Sequence, residues 1–512
     1  MLKVLLSLNK SKSPGPDNIH PRILKELAHE ISYPLTKLFN ASMKHGQIPK
    51  DWKIAEVKPI FKKGDKSSPG NYRPVSLTSV VCKIFETFVR DALYEHLTSN
   101  KLLSPDQFGF CKGRSCVSQL LVTVNEWMQN MDMGLPVDTI YLDFAKAFDT
   151  VPHNRLLHKL RAYGISGNLL EWIQDFLSDR SQFVSISGIS SGQVPVTSGV
   201  PQGSVLGPVL FIYFINDMPD ILDGIRVKVF ADDTKIFNPI ISTEDTTKLQ
   251  LGLDALTKWS NDWLIRFNSS KCCVMHLGIN NNESSYHMLN QQNNVILNKT
   301  TLEKDLGISI DPLLTFEQHI LNTINKARSL SGLIVRSFTY KSKDIMVPLF
   351  KALIRPILEY GNAVWAPHLR KHIDAIEKVQ RHFTKCIIGT KNLSYEHRLR
   401  FLRLPSLEYR RVRGDLIEMY KICNNFYDPD TTDSLFIFSK THTRNNGLKV
   451  EKMRYNNIKY KYFFTNRVAN VWNGLPSGAV RAPTVDSFQN HIDKIFKDSL
   501  YCTNIYNIIY YG

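Results

Sequence analysis

The chain has 512 residues, of which 43% are hydrophobic and 22% charged, and its formal net charge is +17. This composition excludes a largely disordered protein, and the length predicts roughly three to four domain-sized units. No apolar run reaches the ~18 residues that a membrane span or secretion signal would need, so we expect an intracellular protein that is not secreted. The basic charge favours nucleic acid as partner, although a generally basic surface is the alternative.

The eight cysteines show no CxxC pair and no zinc-knuckle spacing. Neither a disulfide framework nor a zinc site is therefore predicted, and reduced, mostly buried thiols are expected. His382 and Cys386 lie one helical turn apart, but no second pair follows at finger spacing.

The first part of the chain alternates turn signals with apolar periodicity. A Ser-Pro-Gly-Pro-Asp turn at 13–17 precedes a predicted helix with apolar residues at 23, 24, 27 and 31. Residues 57–61 resemble a short strand, followed by a basic loop or hairpin. The apolar spacing over 80–97 predicts a second, longer helix.

The central part places acidic residues at strand ends. Residues 139–142 form a predicted strand that ends at Asp143, and a helix is expected after Pro152. Residues 226–230 and 234–237 predict a tight hairpin with Asp232 and Asp233 at its tip. Between these features, a β-rich stretch at 194–200 leads through Pro-Gln-Gly into a predicted apolar helix over 205–215.

The last part is predicted to be mainly helical. The Asn-rich segment 280–294 lacks periodicity and is expected to be an exposed loop. Helical spacing then recurs between 320 and 383. Residues 391–421 carry six arginines and predict a basic helical C-terminal unit.

Carboxylates converging from separate strands suit a site for two divalent ions, which could stabilise charge during phosphoryl transfer. Magnesium fits all-oxygen ligands that leave room for water and phosphate, with manganese as an alternative. An isolated Asp-Asp pair at a hairpin tip is more often ordinary turn chemistry. Here each acid follows a strongly apolar run, so the carboxylates at Asp143, Asp232 and Asp233 call for compensating cations.

Three blocks make the sequence resemble the reverse transcriptases of non-LTR retrotransposons, most closely the jockey-like group. They are Tyr-Leu-Asp-Phe-Ala-Lys-Ala-Phe-Asp at 141–149, Gly-Val-Pro-Gln-Gly-Ser-Val-Leu-Gly-Pro at 199–208 and Phe-Ala-Asp-Asp at 230–233. Their order and approximate spacing match that family's palm, and the resemblance covers nearly the whole chain.

The resemblance implies a role for each matching residue. Asp143 and Asp232 match the metal ligands, with Asp233 as the second acid of the tip. Phe148 matches the aromatic residue that excludes a 2′-hydroxyl, although its spacing also fits a core residue at a helix start. The remaining matches are Gln202 and Gly203 for nucleotide and template, Lys62 and Arg73 for the triphosphate, and Lys271 for the leaving pyrophosphate. Lys63 could exchange roles with Lys62, and solvated surface charge is the alternative for either lysine.

The implied fold is α+β, a right-hand polymerase followed by a basic helical C-terminal region. The expected divisions are a leading segment at 1–57, fingers at 58–137, a palm with inserted fingers elements at 138–311, a helical thumb at 312–390 and a C-terminal domain at 391–512. The turn at 306–308 resembles the primer grip.

The implied activity is RNA-directed DNA synthesis from dNTPs on an RNA template and a DNA primer or target. The element's own RNA is the expected partner in a cytoplasmic ribonucleoprotein that also enters the nucleus. No endonuclease-like domain precedes the polymerase blocks, so we expect a truncated copy or an excerpt of a longer frame. The blocks at 471–476 and 482–488 resemble the usual end of jockey-like frames. A catalytically inactive or domesticated nucleic-acid-binding remnant and a group II intron maturase are the alternatives.

Overall fold

The computed structural model describes residues 1–290, 293–439, 448–503 and 505. A mixed α and β half is followed by a helical half, which is the α+β class expected from the sequence. The strands are β1 Ile54–Phe61, β2 Tyr72–Leu77, β3 Val137–Leu142, β4 Arg180–Ile186, β5 Ile189–Ser190, β6 Val194–Val196, β7 Arg226–Phe230, β8 Asp233–Pro239, β9 Cys273–Leu277, β10 His287–Asn290, β11 Asn293–Ile296, β12 Asn298–Lys299, β13 Glu303–Asp305 and β14 Ile308–Ile310.

In the described residues of the mixed half, ten α-helices lie before or between the strands. They are α1 Leu2–Leu6, α2 Pro21–Glu26, α3 Ala28–His45, α4 Val80–Ser99, α5 Cys116–Asp132, α6 Ala147–Thr150, α7 His153–Ala162, α8 Gly167–Leu177, α9 Gly207–Ile215 and α10 Thr243–Asp262.

The helical half contains α11 Glu317–Ser337, α12 Lys343–Leu349, α13 Arg355–Glu359, α14 Asn362–Trp365, α15 Arg370–Lys385, α16 Tyr395–Leu402, α17 Leu407–Cys423, α18 Pro429–Thr432, α19 Ile458–Tyr462, α20 Phe464–Asn473, α21 Ser477–Val480 and α22 Val485–Ile495. A π-helical turn, Phe350–Ile354, follows α12. Short 3-10 turns complete the described elements at Lys50–Lys53, Pro69–Asn71, Pro219–Ile221, Asp433–Leu435 and Lys497–Ser499.

In its described residues, the mixed half contains two five-stranded sheets and the two hairpins β10–β11 and β13–β14. The first has the order β2-β1-β4-β5, with β6 also paired to β4, and β1 runs parallel to β4. The second has the order β12-β9-β3-β8-β7, and β3 is antiparallel to both of its neighbours. The strand at 139–142 is therefore the centre of the second sheet.

The second sheet is covered on both faces, so five of the six residues of β3 are buried, including the polar Asp138 and Thr139. Successive strand residues point to opposite faces. Ile140 and Leu142 join the core formed with the N-terminal helices and α9, whereas Val137 joins the core shared with the helical half. The sheet is thus the partition between the two large hydrophobic cores.

Several predicted boundaries were wrong. The segment at 280–294 is not only a loop, because β10 and β11 pair there as an antiparallel hairpin; residues 291 and 292 lie outside the described part. The first predicted helix is divided at Leu27 into α2 and α3, and α9 begins at Gly207 rather than at 205. Only Val194–Val196 of the β-rich stretch is a strand, because pairing with β4 ends there.

The arginines of 391–421 form a helical unit, but several of them point into the protein. Arg398 and Arg411 are buried. Arg410 makes a two-point ion pair with Glu359, both N···O distances being 2.7 Å, and Arg413 pairs with Asp493 at 2.8 Å. Arg410 and Arg413 therefore join helices to one another, which the spacing of charges along the sequence does not reveal.

Cysteine usage agrees with the prediction, since all eight cysteines are free and five of them are buried. The Cys386 thiol donates to the carbonyl oxygen of His382, 3.5 Å away, as neighbours on a helix commonly do. Across the described ranges, no helix combines the length and the apolar character that crossing a membrane requires.

Candidate active site

Three aspartates meet at one end of the second sheet. Asp143 directly follows β3, while Asp232 and Asp233 lie where β7 turns into β8. In the antiparallel pairing of β3 with β8, Leu142 is opposite Thr234, which places Asp143 next to Asp233 in register. The sheet thus brings together the acids that the sequence predicted.

The turn that carries Asp232 has a constrained backbone. Phe230 pairs with Asp233, so Ala231 and Asp232 are the two central residues of the turn. Ala231 has φ = 55°, a left-handed conformation that is uncommon for a residue with a Cβ atom. The side-chain oxygen of Gln107 accepts a hydrogen bond from the Ala231 amide at 3.0 Å. This buried glutamine therefore helps to fix the turn.

Burial and neighbouring acids raise the pKa of Asp232 and Asp233. Burial and then the charge of Asp143 raise the pKa of Asp232, while Arg73 and Lys62 act in the opposite direction. Partial removal from solvent, followed by the charge of Asp232, raises the pKa of Asp233 to about 6. Carboxylates whose ionised forms are disfavoured in this way are stabilised by a bound cation.

The donor set fits a hard divalent ion. Within the described part of the chain, no three His, Cys, Asp or Glu side chains already enclose one point. The aspartates instead form an open group of oxygen donors at the end of the sheet. Magnesium is commonly held by one or two carboxylates, with water and substrate phosphate completing its coordination. The arrangement suits such an ion better than a closed structural metal site.

Lys271 lies beside the first of these acids. Its ammonium group is 3.2 Å from Oδ2 of Asp143, and both side chains are exposed. A solvent-exposed pair of this kind contributes little to folding stability. Lys271 lines a cleft at this end of the sheet together with Asp143 and Asp233, where its ammonium group can neutralise an anion.

Lys62 and Arg73 approach the acids from the first sheet. Arg73 is opposite Ile60 in the β1–β2 pair, and the Lys62 amide donates to the carbonyl oxygen of Asn71 at 2.8 Å. The charges of Lys62 and Arg73 partly offset the rise in the pKa of Asp232, and the charge of Lys62 partly offsets the rise in the pKa of Asp149.

Phe148 is half-buried at the start of α6, five residues after Asp143. Its ring stacks on Phe211 of α9, with centroids 4.3 Å apart and planes 19° from parallel. Phe110 meets Phe148 edge-on, with centroids 6.3 Å apart. The ring is therefore held between two aromatic neighbours instead of being free to change rotamer.

The Pro-Gln-Gly turn is hydrogen-bonded to α6 and to β2. The side-chain Nε2 of Gln202 donates to Oδ1 of Asp149 at 2.8 Å. The backbone carbonyl oxygen of Gln202 accepts from the Ser76 amide at 2.7 Å. Gly203 has φ = 116°, and a Cβ atom there would overlap the carbonyl oxygen of Ser76. The turn thus needs glycine because it approaches the backbone of β2 closely.

Three further features of the site were missed in the sequence. The first is Gln107, which follows a Ser-Pro-Asp sequence typical of a turn, and that turn was the one local sign of an ordered loop there. The second is Asp149, the last residue of the block at 141–149, to which no role was assigned from the sequence. The third is the buried ion pair of Lys235 with Asp305, which joins β8 to the β13–β14 hairpin. Only the tertiary structure brings Asp305 near Asp233, so no local pattern could have shown it.

The comparisons with known families and relatives agree with this geometry. The family model for "Reverse transcriptase (RNA-dependent DNA polymerase)" matches residues 60–307, a range that contains all the predicted site residues. The chain is 30% identical over 399 residues to "RNA-directed DNA polymerase from mobile element jockey" of Drosophila melanogaster, covering 75% of this chain and 43% of that relative.

Other similar proteins come from the same kind of element. "Probable RNA-directed DNA polymerase from transposon BS" of Drosophila melanogaster is 28% identical, with 76% of this chain and 44% of the relative covered. The chain therefore spans less than half the length of these two relatives. Among solved structures, apo telomerase from Candida Tropicalis, truncated from its C-terminal domain, is similar with a TM-score of 0.36 and 13% identity, covering 56% of this chain and 59% of that one.

Proposed function

The chain belongs to the reverse transcriptases of jockey-like non-LTR retrotransposons, and from this membership we propose that it is itself an RNA-directed DNA polymerase. The observation that carries the proposal is the convergence of Asp143, Asp232 and Asp233 at one end of the second sheet. The proposed reaction joins the α-phosphate of a dNTP to a primer 3′-hydroxyl and releases pyrophosphate.

Asp143 and Asp232 are the proposed ligands of two magnesium ions, with manganese as an alternative, and Asp233 is the second acid of the turn. When bound, the ions stabilise the charge that develops on the attacking, transferred and leaving oxygens. The aspartates contribute by holding negative charge at a fixed end of a rigid sheet. No protein nucleophile is needed, because positioning accounts for most of the acceleration.

The charged and aromatic walls of the cleft supply the nucleotide site in this proposal. Lys62 and Arg73 hold the triphosphate, and Lys271 neutralises or protonates the leaving pyrophosphate. The ring of Phe148 lies beneath the incoming sugar and excludes a 2′-hydroxyl. Gln202 and Gly203 contact the nucleotide and template, where the absence of a Cβ lets the backbone approach closely.

The right-hand arrangement with fingers, palm and thumb is supported by the pairing of strands. Residues 138–311 are the proposed palm, and 58–137 are the fingers. β4 and β6 lie within the palm's sequence range but pair in the sheet that contains β1 and β2, as inserted fingers elements would. The helices of 312–390 are the proposed thumb, after a leading segment at 1–57 and before the C-terminal domain at 391–512.

The proposed partners are an RNA template, a DNA primer or target and the RNA of the element itself. The net charge of +17 supports binding to the phosphate backbone without base readout. Such a ribonucleoprotein would assemble in the cytoplasm and act in the nucleus.

The test is templated primer extension by the purified chain with magnesium on RNA and DNA templates. We expect extension by the wild type, and Asp232→Asn should lower its rate by about a thousandfold because a metal ligand is worth several kcal/mol. Asp262→Asn, an exposed acid at the end of α10, is the matched control and should keep the wild-type rate. Full activity of Asp232→Asn would refute the site. Salt-dependent binding without extension by the wild type would instead favour a non-catalytic remnant.

A further inference from the structure

Residues 104–114, here called the brace, connect α4 to α5 and run along β7 without forming a strand of their own. The Phe108 amide donates to the carbonyl oxygen of Val229 at 2.7 Å, and the Val229 amide donates to that of Asp106 at 2.9 Å. Lys228 of β7 also pairs with Asp106 at 2.5 Å. The brace is therefore attached to the strand that leads directly into the Ala231–Asp232 turn.

The brace reaches the turn through Gln107, whose side chain is buried, with 1% of the residue exposed. The side-chain oxygen Oε1 of Gln107 accepts hydrogen bonds from the Gly109 amide at 2.7 Å and from the Ala231 amide at 3.0 Å. Gly109 packs so closely on Ala231 that a Cβ atom would overlap the Ala231 amide nitrogen. The left-handed backbone of Ala231 is thus held by a hydrogen bond and by direct backbone contact.

The far end of the brace is tied to the C-terminal region. The Arg114 side chain is 4% exposed and donates to the carbonyl oxygens of Ser104 at 2.7 Å and Gln107 at 2.6 Å. Its other nitrogens contact Oδ2 of Asp428 at 2.9 Å and 2.8 Å. The Asp428 amide also donates to the carbonyl oxygen of Gly113 at 2.8 Å.

We propose that Asp428 is a positioning residue for the acidic turn, acting through Arg114 and Gln107. Charge-assisted hydrogen bonds are directional, and a buried guanidinium is costly to leave unpaired, so Asp428 holds the buried Arg114 side chain against the carbonyl oxygens around Gln107. Gln107 in turn holds Ala231 in a conformation that a residue with a Cβ does not favour. Asp232 follows Ala231 directly, and a metal ligand must be held within about 0.5 Å of its working position.

This inference deepens the proposed function and rests on it for its catalytic consequence, but the mechanical part can be measured without activity. Hydrogen exchange of the Ala231 amide reports the bond to Gln107, and electron paramagnetic resonance reports binding of Mn²⁺ to the aspartates. The variants are Gln107→Met, which removes the acceptor at nearly constant shape, and Asp428→Ala. The matched control is Asp493→Ala, which breaks the Arg413 ion pair within the C-terminal region without touching the brace.

We expect the Ala231 amide to exchange about tenfold faster in Gln107→Met and Asp428→Ala, because a lost hydrogen bond changes local opening by up to about that factor. Mn²⁺ binding should weaken in both, and extension should show a lower kcat with an unchanged KM for the primer. Asp493→Ala should match the wild type in all three measurements. If Asp428→Ala does not fold, Asp428→Asn keeps the shape and removes the charge.

Wild-type exchange at Ala231 in Asp428→Ala would overturn the proposal, as would an equal effect of Asp493→Ala. Failure of the proposed function has a different signature. In that case the wild type extends no primer on any template, whereas the exchange measurements still show whether Asp428 holds the turn.

Discussion

At the residue scale, the site combines groups whose roles depend on immediate contact. Phe148 is held between Phe211 and Phe110, so its ring presents a fixed surface. Lys62 and Arg73 act on Asp232 from another part of the chain, and their charges partly offset the rise in its pKa. The proposed sugar gate and triphosphate clamp are therefore formed by parts of the chain that are far apart in sequence.

Replacing Phe148 with valine tests the sugar gate. The smaller side chain leaves room for a 2′-hydroxyl, so we expect ribonucleotide incorporation to rise by about tenfold or more relative to dNTP incorporation. Single-nucleotide extension with matched rNTP and dNTP measures the ratio of kcat/KM values. Phe110→Val, which removes the neighbouring ring, is the comparison variant. Unchanged sugar selectivity in Phe148→Val would contradict the gate.

At the scale of elements, the β13–β14 hairpin is joined to both halves of the molecule. Lys235 of β8 pairs with Asp305 in a buried position, and the Tyr360 hydroxyl donates to the carbonyl oxygen of Leu306 at 2.7 Å. Nδ1 of His319, on α11, accepts from the Ser309 amide at 3.1 Å. This hairpin contains the predicted primer grip, which confirms the turn at 306–308 while its role stays a prediction.

The buried His319 predicts a pH dependence of stability. Burial and then the charge of Lys304 lower its pKa from an ordinary 6.5 to about 4. Because the unfolded chain binds a proton between pH 6.5 and 4 and the folded chain does not, the free energy of unfolding falls as the pH falls through this window.

His319→Gln keeps a side-chain acceptor but cannot titrate, so its thermal midpoint should fall less than that of the wild type between pH 7 and pH 4.5. Thermal melts across this range measure the difference. His397→Gln, at an exposed position on α16, is the control and should follow the wild type. Parallel curves for His319→Gln and the wild type would exclude this histidine as the source.

At the scale of the whole molecule, the net charge of +17 does not indicate how many basic residues face a nucleic acid. Arg410 and Arg413 join α17 to α13 and α22 through ion pairs, and Arg411 is buried. Only the remaining exposed lysines and arginines are available for phosphate contacts. The salt dependence of RNA binding should therefore be smaller than the charge alone indicates.

Arg410→Gln separates the structural from the binding role. Loss of the two-point pair with Glu359 should lower the free energy of unfolding by about 1–3 kcal/mol, whereas the slope of log K against log salt for RNA binding should not change. Denaturant unfolding and salt-dependent filter binding measure the two quantities. Arg400→Gln, at an exposed position of α16, should leave stability unchanged. A reduced salt slope in Arg410→Gln would show that this arginine contacts phosphate.

The α+β class, the acids at strand ends and the resemblance to reverse transcriptases could be predicted from the sequence, because these depend on local periodicity and on continuous blocks such as 141–149 and 199–208. The acids Asp143, Asp232 and Asp233 could be named because each one follows an apolar run. Three features are visible only in the tertiary structure. They are which arginines of 391–421 are internal, that Asn-rich residues form β10 and β11, and that Asp428 is linked through Arg114 and Gln107 to the acidic turn. The internal arginines and the link from Gln107 to Asp428 arise from contacts between residues distant in the chain, which leave no local pattern in the sequence. β10 and β11 pair locally, but their Asn-rich sequence lacks the periodicity of a strand.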